Sequence, residues 1–429
     1  MIKKSFVGLK GLKLKYEKPG SSQLTPEIIP VPDAIKLFIK SDGNGAGTKK
    51  LHKGDPVKTW QKLSLREGDG QYAVSPVTGT VRSVSIVKDD FGRDLTQIDI
   101  DVSRVEEADA EFNELSGKPS LEIALDYLSN IPGAPPLDAF SSASSKSGDA
   151  KKNIETIVIN GVSSDLLLMT TQFVIDSALN DIKKGVDILS EITGVKRFVL
   201  AIPYDFAQSC GSIRAEVKPV KPFYPEGNPA LIMKNILNMD LPAGSSPADA
   251  GVVFFSAEAV ASMGSAFDKG RIPTDKFLTF VNKAGRKKLV RAKIGTPIGD
   301  IVKQCGEKAN ENDLLVMGGP MTGSAAYSNQ FPVTPETDGL IIRDKNDIHY
   351  YSDYPCINCG ECVRACPAHI QVNMLARFLE AGQYEEAETE YDLLSCIDCG
   401  LCSFVCVSKT PVFQYIKLAK YELSKMIPS

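Results

Sequence analysis

CINCGECVRACP at residues 356–367 and CIDCGLCSFVC at residues 396–406 decide the fold of the last part of this chain. Both stretches place four cysteines in the order C-x2-C-x2-C-x3-C. Together they contain eight of the ten cysteines in the 429 residues. Three thiols separated by two residues each can line one turn of backbone. Each stretch therefore indicates a metal centre with sulfur ligands.

The spacing in both runs is the one with which bacterial proteins bind two 4Fe–4S clusters. In that arrangement the first three cysteines of a run bind one cluster, and the fourth binds the other cluster. The sequence therefore predicts a first cluster on Cys356, Cys359, Cys362 and Cys406. It predicts a second cluster on Cys396, Cys399, Cys402 and Cys366.

Zinc and disulfide bonds are the competing interpretations of these cysteines. Zinc binds paired C-x2-C motifs but takes four ligands, and each run has a third closely spaced cysteine that a zinc ribbon would not use. Disulfides require an oxidising compartment. Between the runs, an apolar helical face ends at Gly382 and an acidic helical segment follows. This pattern indicates an α-helical ferredoxin domain over residues 346–429.

Length and composition are those of a multidomain globular protein. The length of 429 residues predicts about three domains, and 43% hydrophobic and 24% charged residues are typical of a globular protein. A net charge of −4 gives no indication of nucleic-acid binding. The basic start MIKKSFVGLKGLKLKY lacks the apolar core of a signal peptide, and no apolar run is long enough to span a membrane. Together with cluster-type cysteines, this predicts a cytoplasmic location.

Residues 1–110 read as a β domain rich in turn signals. Two strand-turn-strand units, LHKGDPVKTWQKLSL and YAVSPVTGTVRSVSIV, predict a barrel-sandwich hybrid domain. Carrier domains of this fold display a lysine on a hairpin, and no lysine lies between Ser75 and Val81. We therefore expect a scaffold or docking role. Trp60, the only tryptophan, is interpreted as a packing residue.

Residues 111–153 are predicted to form a helix and a linker. An apolar stripe marks the helix at Leu121, Ile123, Ala124, Tyr127 and Leu128. The stretch IPGAPPLDAFSSASSKSGDAKK follows the helix. Its content of Pro, Ser, Gly and Ala indicates a surface loop or linker.

Residues 154–275 alternate between strand and helix patterns. IETIVING, KRFVLAIP and GVVFF read as buried strands, and helices are predicted over Leu166–Ile188, in KNILNM and over Ala257–Phe267. This alternation indicates a Rossmann-like α/β layer with a largely parallel sheet, in which ligands bind at the carboxyl ends of strands. Neither a G-x-G-x-x-G motif nor a P-loop is present in the sequence.

Residues 276–345 return to β patterns. A hairpin turn is predicted around Lys283–Arg286, and a short helix is predicted to begin near Pro297. The loop VMGGPMTGSA follows, and its glycines are interpreted as turn residues, namely Gly318, Gly319 and Gly323.

Several motifs in series resemble the C subunit (RnfC) of the Rnf-type electron-transport complex. They are VSPVTGTV at 74–81, FYPEGNPALI at 223–232, DLPAGSSPADAGVVFFSAEAVASM at 240–263, KIGTPIGDIVKQCG at 293–306, VMGGPMTGSA at 316–325 and the two cysteine runs. They lie in that family's order and cover most of the chain. The resemblance implies a barrel-sandwich domain, a Rossmann-like domain, a β-grasp domain of the soluble-ligand-binding (SLBB) class at 276–345 and a helical ferredoxin domain, in an α+β multidomain chain.

The resemblance also implies a place and a cofactor. The place is the cytoplasmic face of a cell-membrane complex that couples electron transfer to Na⁺ or H⁺ translocation. Typical members bind FMN in the α/β domain and take electrons from NADH. They carry a G-G-A-G-F-P-T loop before the first strand, where GAPPLDAFSSASSKSG stands here. They carry N-G-x-E-C-E-P after that strand, where the run from Asn160 to Asp165 stands here.

These departures remove glycine amides that bind phosphate and carboxylates that bind ribose hydroxyls. They argue against an NADH site. They leave FMN as an open alternative, with a vestigial flavin site near Asn160, Gly161 and Asp165.

We therefore expect an oxidoreductase subunit that relays electrons through two 4Fe–4S clusters and has no catalytic residue of its own. Its expected partners are the membrane and peripheral subunits of an Rnf-type complex and an electron-carrier protein, such as a ferredoxin or a cytochrome-bearing subunit. One alternative is an FMN-dependent NADH:acceptor oxidoreductase subunit. The other is a soluble reductase or adaptor subunit without ion pumping.

The remaining reactive residues receive structural interpretations. Cys210 and Cys305 fall outside the cluster spacing and are interpreted as core or loop residues. His52, His349 and His369 show no ligand spacing. A basic run is either a solvated hairpin or a docking patch for an acidic carrier or a membrane surface. It consists of Lys283, Arg286, Lys287, Lys288 and Arg291.

Overall fold

The computed structural model describes residues 12–17, 25–40, 51–65, 71–89, 91–141, 153–207, 213–348, 351 and 354–426. The basic start at residues 1–11 and the second half of the predicted linker lie outside the described residues, as do Cys210 and His349.

The N-terminal β unit is an antiparallel sheet with a separate small hairpin. Its part of the chain forms β1 (Leu14–Lys15), β2 (Glu27–Ile28), β3 (Ala34–Lys40), β4 (Pro56–Val57), β5 (Lys62–Ser64), β6 (Tyr72–Val74), β7 (Gly79–Lys88) and β8 (Asp94–Val102). The sheet order is β3-β8-β7-β4, and β5 pairs with β6. Alternate side chains of β3 and β8 point inward, so Ile35, Ile98 and Ile100 are 0% exposed.

The strands β1 and β2 pair outside this unit. β1 pairs antiparallel with residues 223–224, and β2 pairs parallel with residues 290–291. The first two strands of the predicted 1–110 segment therefore complete two other sheets. An apolar pattern predicts that a short segment is a strand but does not identify the strand with which it pairs.

Two helices and a buried turn connect the β unit to the next layer. The helices are α1 (Glu111–Leu115) and α2 (Leu121–Leu128), and the Ser120 hydroxyl accepts a hydrogen bond from the Ile123 N–H to cap α2. The following stretch was expected to be a surface loop, but Ile131 and Leu137 are 0% exposed in the α/β core. The expectation is wrong over 131–141, because a composition rich in Pro and Gly indicates backbone turns without indicating burial.

A parallel sheet forms the centre of the molecule, as the alternating pattern predicts. Its elements are β9 (Thr156–Asn160), α3 (Thr170–Ser177), α4 (Leu179–Thr193), β10 (Arg197–Pro203), β11 (Glu216–Val220), β12 (Phe223–Tyr224), α5 (Pro229–Asn235), β13 (Val252–Ser256) and α6 (Ala257–Lys269). The order is β11-β10-β9-β13, with every pair parallel. Gly185 allows α4 and α6 to touch, since a Cβ there would lie 2.1 Å from the Val260 carbonyl oxygen.

Two predicted helices have different bounds. The segment Leu166–Ile188 contains two helices, α3 and α4, because Ala178 between them has a non-helical backbone (φ −119°, ψ 24°). The KNILNM segment is helical only at its first two residues, since α5 begins at Pro229 behind the capping Asn228.

A mixed six-stranded sheet follows. Its elements are β14 (Asp275–Val281), β15 (Lys287–Lys293), α7 (Ile298–Gln304), β16 (Leu314–Met317), β17 (Ser324–Ala325) and β18 (Gly339–Arg343). The order is β17-β16-β18-β14-β15-β2, so a strand from the start of the chain completes its edge. The turn between β14 and β15 and the start of α7 after Pro297 confirm the predicted hairpin and helix.

A buried ion cluster joins this sheet to the α/β layer. Lys276 of β14 is 0% exposed and pairs with Glu258 of α6 and with Asp338, the latter at 3.0 Å. Burial raises the pKa of Glu258 to about 7, even though the lysine lies beside it.

The C-terminal part is helical. It forms α8 (Glu361–Ala365), α9 (Val372–Glu380), α10 (Tyr384–Tyr391), α11 (Leu401–Phe404) and α12 (Val412–Met426). The helices α9 and α10 are the two predicted between the cysteine runs. Leu375 and Leu379 of α9 share a buried core with Ile416 of α12. This core holds α8 and α11, and therefore both cysteine runs, in one small domain.

Candidate functional site

Both cysteine runs follow the same backbone course. Each enters a short helix, α8 or α11, through a left-handed glycine, at Gly360 (φ 76°) or Gly400 (φ 72°). Further left-handed residues lie at matching offsets, and they are Asn358 with Asp398 and His369 with Lys409. Such a conformation is costly for residues with a Cβ. Its repetition indicates that both runs adopt one specific wrapped geometry.

The thiols gather in two groups, and each group takes one member from the other run. Burial raises the pKa of Cys362, and so does the negative charge of the thiolates near it, which belong to the other members of the first thiol group, Cys356, Cys359 and Cys406. Burial likewise raises the pKa of Cys402, together with the thiolates near it, which belong to the other members of the second thiol group, Cys396, Cys399 and Cys366. The structure thus brings together the crossed sets that the spacing predicts. Which sulfurs bind iron stays a prediction.

The donor chemistry of the two groups fits 4Fe–4S clusters. Burial raises the pKa of Cys362 and Cys399 to about 11 and that of Cys396 to about 12, so bound metal must displace protons there. Within the described part of the chain, no three His, Cys, Asp or Glu side chains are spaced for a single metal ion. A cubane instead takes one thiolate at each of four separate irons. Two sets of four thiols match that need.

The two groups differ in their exposure. Cys399 and Cys402 of the second group are 9% and 8% exposed, whereas Cys359 of the first group is exposed to solvent. Tyr224 donates a hydrogen bond from its hydroxyl to the Cys399 carbonyl oxygen at 2.6 Å. Asn228 donates another to the Ile397 carbonyl oxygen at 2.9 Å. The second group is therefore held against the α/β layer.

A glycine-rich loop contacts the second run from the other side. A Cβ on Gly400 would lie 2.3 Å from the Met321 carbonyl oxygen, so the two backbones touch. Asp165 fixes this loop, because its buried carboxylate accepts hydrogen bonds from the Met321 and Thr322 backbone N–H groups and from the Thr322 hydroxyl. Gly319, one of the predicted turn glycines, packs against the Asp165 side chain. The glycine-rich loop therefore lies between the segment that follows β9 and the second cysteine run.

A small cavity of about 40 Å³ lies at the carboxyl ends of β9, β10 and β11, the usual position of ligands in parallel sheets. Gly161 lines it, as the vestigial-site prediction expects. Asn160 does not line it, and its amide donates a hydrogen bond to the Gly227 carbonyl oxygen at 2.9 Å. Asp165 is 1% exposed and faces the glycine-rich loop. The structure therefore does not gather the three residues around one space.

The other residues considered in the sequence have structural surroundings. Cys305 is 8% exposed and lies in the core under the mixed sheet, as predicted. His52 and His369 are exposed. Most of the basic run is paired with carboxylates, which leaves little free charge for a docking patch. The pairs are Lys283 with Asp313, Lys287 with Glu17, Lys288 with Glu27 and Arg291 with Asp275.

Known proteins match both the α/β layer and the cysteine runs. Residues 138–265 match the Nuo51 FMN-binding domain, and residues 355–410 match the 4Fe-4S dicluster domain. The C subunit of the proton-translocating ferredoxin:NAD(+) oxidoreductase complex of Clostridium ljungdahlii is 25% identical, over 98% of this chain and 94% of that protein. The C subunit of the ion-translocating oxidoreductase complex of Methanosarcina acetivorans is 24% identical over 92% and 93%. The Rhodobacter capsulatus protein of the same description is 29% identical over 67% and 57%.

This chain is similar to C subunits of Rnf-type complexes over nearly its whole length. The relatives confirm the predicted oxidoreductase class, and the dicluster match confirms the predicted 4Fe–4S cofactors. No helix in the described ranges is both long enough and apolar enough to cross a membrane.

The described residues leave FMN neither an open phosphate position at the start of α6 nor a cavity of its size at the strand ends. A helix N-terminus suits a phosphate, but the Ser256 hydroxyl caps α6 by accepting from the Ala259 N–H. Gly133 covers the same end, since a Cβ there would lie 2.4 Å from the Ala259 nitrogen. The Phe140 and Phe255 rings, 6.3 Å apart, lie beside it. The cavity at the strand ends holds only a few waters at about 15 Å³ each.

Proposed function

We propose that this chain is a peripheral iron–sulfur subunit of an Rnf-type membrane complex, which passes electrons through two 4Fe–4S clusters to or from a protein partner. The observation that carries the proposal is the pair of crossed four-thiol groups. When bound, the clusters supply one-electron chemistry. The chain holds their ligands in an interlocked domain, which keeps the two clusters close enough for electron tunnelling.

The exposure of the two groups supports an order of transfer. Large apolar side chains next to the first thiol group's cysteines are 55% to 79% exposed, and they are Tyr351, Tyr354, Ile357, Phe404 and Val407. Exposed apolar residues of this kind are typical of protein interfaces. We assign the first group to electron exchange with a carrier protein, such as a ferredoxin or a cytochrome-bearing subunit. The second group lies between the first and the α/β layer.

The finer description of the fold belongs to the same proposal. The antiparallel sheet with its separate hairpin supports a barrel-sandwich hybrid fold within 1–110. The mixed sheet with α7 supports an SLBB-like β-grasp fold within 276–345. The proposed division is completed by a helix and linker at 111–153, a Rossmann-like domain at 154–275 and a helical ferredoxin domain at 346–429. Relatives described as proton-translocating and Na⁺-translocating complexes support coupling to H⁺ or Na⁺ translocation. A place on the cytoplasmic face of the cell membrane belongs to the same proposal.

The match of residues 138–265 to an FMN-binding domain favours one second candidate, an FMN-dependent NADH:acceptor oxidoreductase subunit. The filled space around Gly133 and Phe255 opposes it. A soluble reductase or adaptor subunit without ion pumping is the third candidate. It predicts that the chain does not co-purify with membrane subunits when the native complex is isolated.

The cofactor content of anaerobically purified protein tests the proposal. Two cubanes require about eight irons and eight acid-labile sulfides per chain. We expect these values, no flavin after denaturation and no bleaching of the cluster absorbance by millimolar NADH. Zinc, or about four irons, contradicts the assignment of the two runs. Released FMN together with bleaching by NADH establishes the FMN-dependent candidate instead.

A further inference from the structure

A second cleft, with a volume of about 360 Å³, is lined by no residue of either cysteine run. Helices α3, α4 and α6 form one wall, and the start of the β14–β15 hairpin forms the other. Phe173 and Phe277 meet in it with ring centroids 4.7 Å apart. Its volume and its mixture of aromatic and polar walls are those of small-molecule sites.

Trp60 reaches the rim of this cleft from the N-terminal β unit. Its backbone is left-handed (φ 72°), and its N–H donates to the Ser75 carbonyl oxygen at 2.8 Å. A bulky residue at positive φ is an outlier, and glycine would adopt this conformation without the steric cost. The Trp60 ring packs against the α/β core, as the sequence analysis expects, and also contacts Arg271, and these contacts offset the cost of the backbone conformation.

The charged side chains of the cleft are paired, with one exception. The pairs are Arg291 and Lys293 with Asp275, and Lys269 with Asp181. Arg271 instead lies over the Trp60 ring, with its guanidinium carbon 5.5 Å from the ring centroid. It has no carboxylate partner among the described residues. The rim of the cleft therefore presents an aromatic face and a guanidinium that is free to bind an anion.

The wall of the cleft also offers an unused acceptor. Glu258 lines the cleft and is 7% exposed. One of its oxygens pairs with Lys276, and Oε1 has no partner of normal hydrogen-bond geometry in the described part of the chain, although the Phe277 backbone N–H faces this carboxylate. A buried acceptor without a donor is costly unless a ligand supplies one.

We propose that this cleft binds a small organic anion that carries an aromatic ring. The ring stacks on Trp60, Arg271 binds the carboxylate or phosphate group, and an N–H or O–H of the ligand faces the wall that contains Glu258. This site is independent of the two thiol groups. Its ligand would be a regulator or second substrate that the electron-transfer proposal does not include.

Trp60 is the only tryptophan of the chain, so its fluorescence reports on this cleft directly. The cluster-loaded full-length protein is titrated with adenosine monophosphate and with 4-hydroxybenzoate, which present a phosphate and a carboxylate on an aromatic compound. Adenosine and inorganic phosphate are the matched half-ligands. We expect saturable quenching by one of the two complete anions, with each half-ligand at least about tenfold weaker, because a hydrogen bond to a charged group is lost. The responding compound identifies the anionic group.

Variants separate binding from packing. Arg271→Gln should weaken the responding anion about tenfold or more, while Arg286→Gln on the exposed hairpin turn should leave its affinity unchanged. Trp60→Gly relieves the backbone strain and should abolish the thermal shift that the anion produces in the parent protein. Millimolar anions without effect on Trp60 fluorescence overturn the proposal. Equal affinity in parent and Arg271→Gln protein also overturns it. Cluster content stays the same in all these variants, so failure here leaves the electron-transfer proposal intact.

Discussion

The two cysteine runs have the same backbone and different surroundings. Both pass through left-handed residues at the same offsets and both enter a short helix through a glycine. Solvent and exposed apolar side chains surround the first run, whereas Tyr224, Asn228 and the loop at Met321 hold the second. The spacing of the cysteines therefore specifies the backbone course of a run. Residues distant in sequence determine how exposed the run is and which part of the protein it contacts.

Removal of a fourth cysteine tests the comparison with the largest expected effect. Cys366→Ala should abolish the cluster of the second run and leave that of its own run, because each group takes its last thiol from the opposite run. We call the cluster of the second thiol group the inner cluster and that of the first thiol group the outer cluster. Iron should fall from about eight to about four per chain, and the electron paramagnetic resonance signal of the inner cluster should disappear.

Cys406→Ala is the reciprocal variant and should remove the outer cluster instead. Cys305→Ala is the control, since that thiol lies in the core of the mixed sheet. Loss of the outer cluster alone in Cys366→Ala would show that each run binds its own cluster with all four cysteines.

The two left-handed glycines offer a matched pair of smaller effect. Alanine at either one costs about 1–2 kcal/mol for the backbone conformation. At Gly400 its Cβ would also lie 2.3 Å from a backbone oxygen, which adds about 1–3 kcal/mol of overpacking. At Gly360 the nearest atom, 3.2 Å away, is the end of the flexible Arg364 side chain. Anaerobic denaturation should therefore show Gly400→Ala to be clearly less stable, and equal losses would contradict the asymmetry.

Local sequence was sufficient to predict the helices between the runs, and the crossed thiol groups that the cysteine spacing indicates stay a prediction. The surroundings could not be predicted. Tyr224 contacts Cys399 across 175 positions of sequence, and nothing in FYPEGNPALI indicates that its tyrosine faces a cysteine run. Asp165 was considered as a ligand group, and only the fold shows that its carboxylate is used by the loop at Thr322. The β pattern over residues 1–110 likewise did not indicate that β1 pairs with residues 223–224.

The hydroxyl of Tyr224 provides a test of intermediate size. Tyr224→Phe leaves the buried Cys399 carbonyl oxygen without its 2.6 Å donor and should cost about 1–3 kcal/mol of stability. It should also change the resonance signal of the inner cluster, because the loop that carries Cys399 loses a fixed point, and leave the outer signal unchanged. Tyr204→Phe, at a tyrosine that is 69% exposed, is the control. An identical inner signal in Tyr224→Phe would show that this hydrogen bond does not position the cluster.

The smallest effect is expected at an ion pair beside the second run. Lys420 donates to the Cys396 carbonyl oxygen at 2.7 Å and pairs with Asp398, whereas the first run has the neutral Asn358 at the matching position. The pair is partly exposed, so Lys420→Gln should cost only about 0.2–1 kcal/mol. Reduction adds negative charge to a cluster, and the variant leaves the Asp398 carboxylate uncompensated. The inner cluster's reduction potential should therefore fall in a redox titration, while the outer one stays constant. Lys420→Gln combined with Asp398→Asn removes both charges and should reverse most of the fall in the inner cluster's potential. An unchanged or higher inner potential in the single variant would show that this ion pair does not tune the inner cluster.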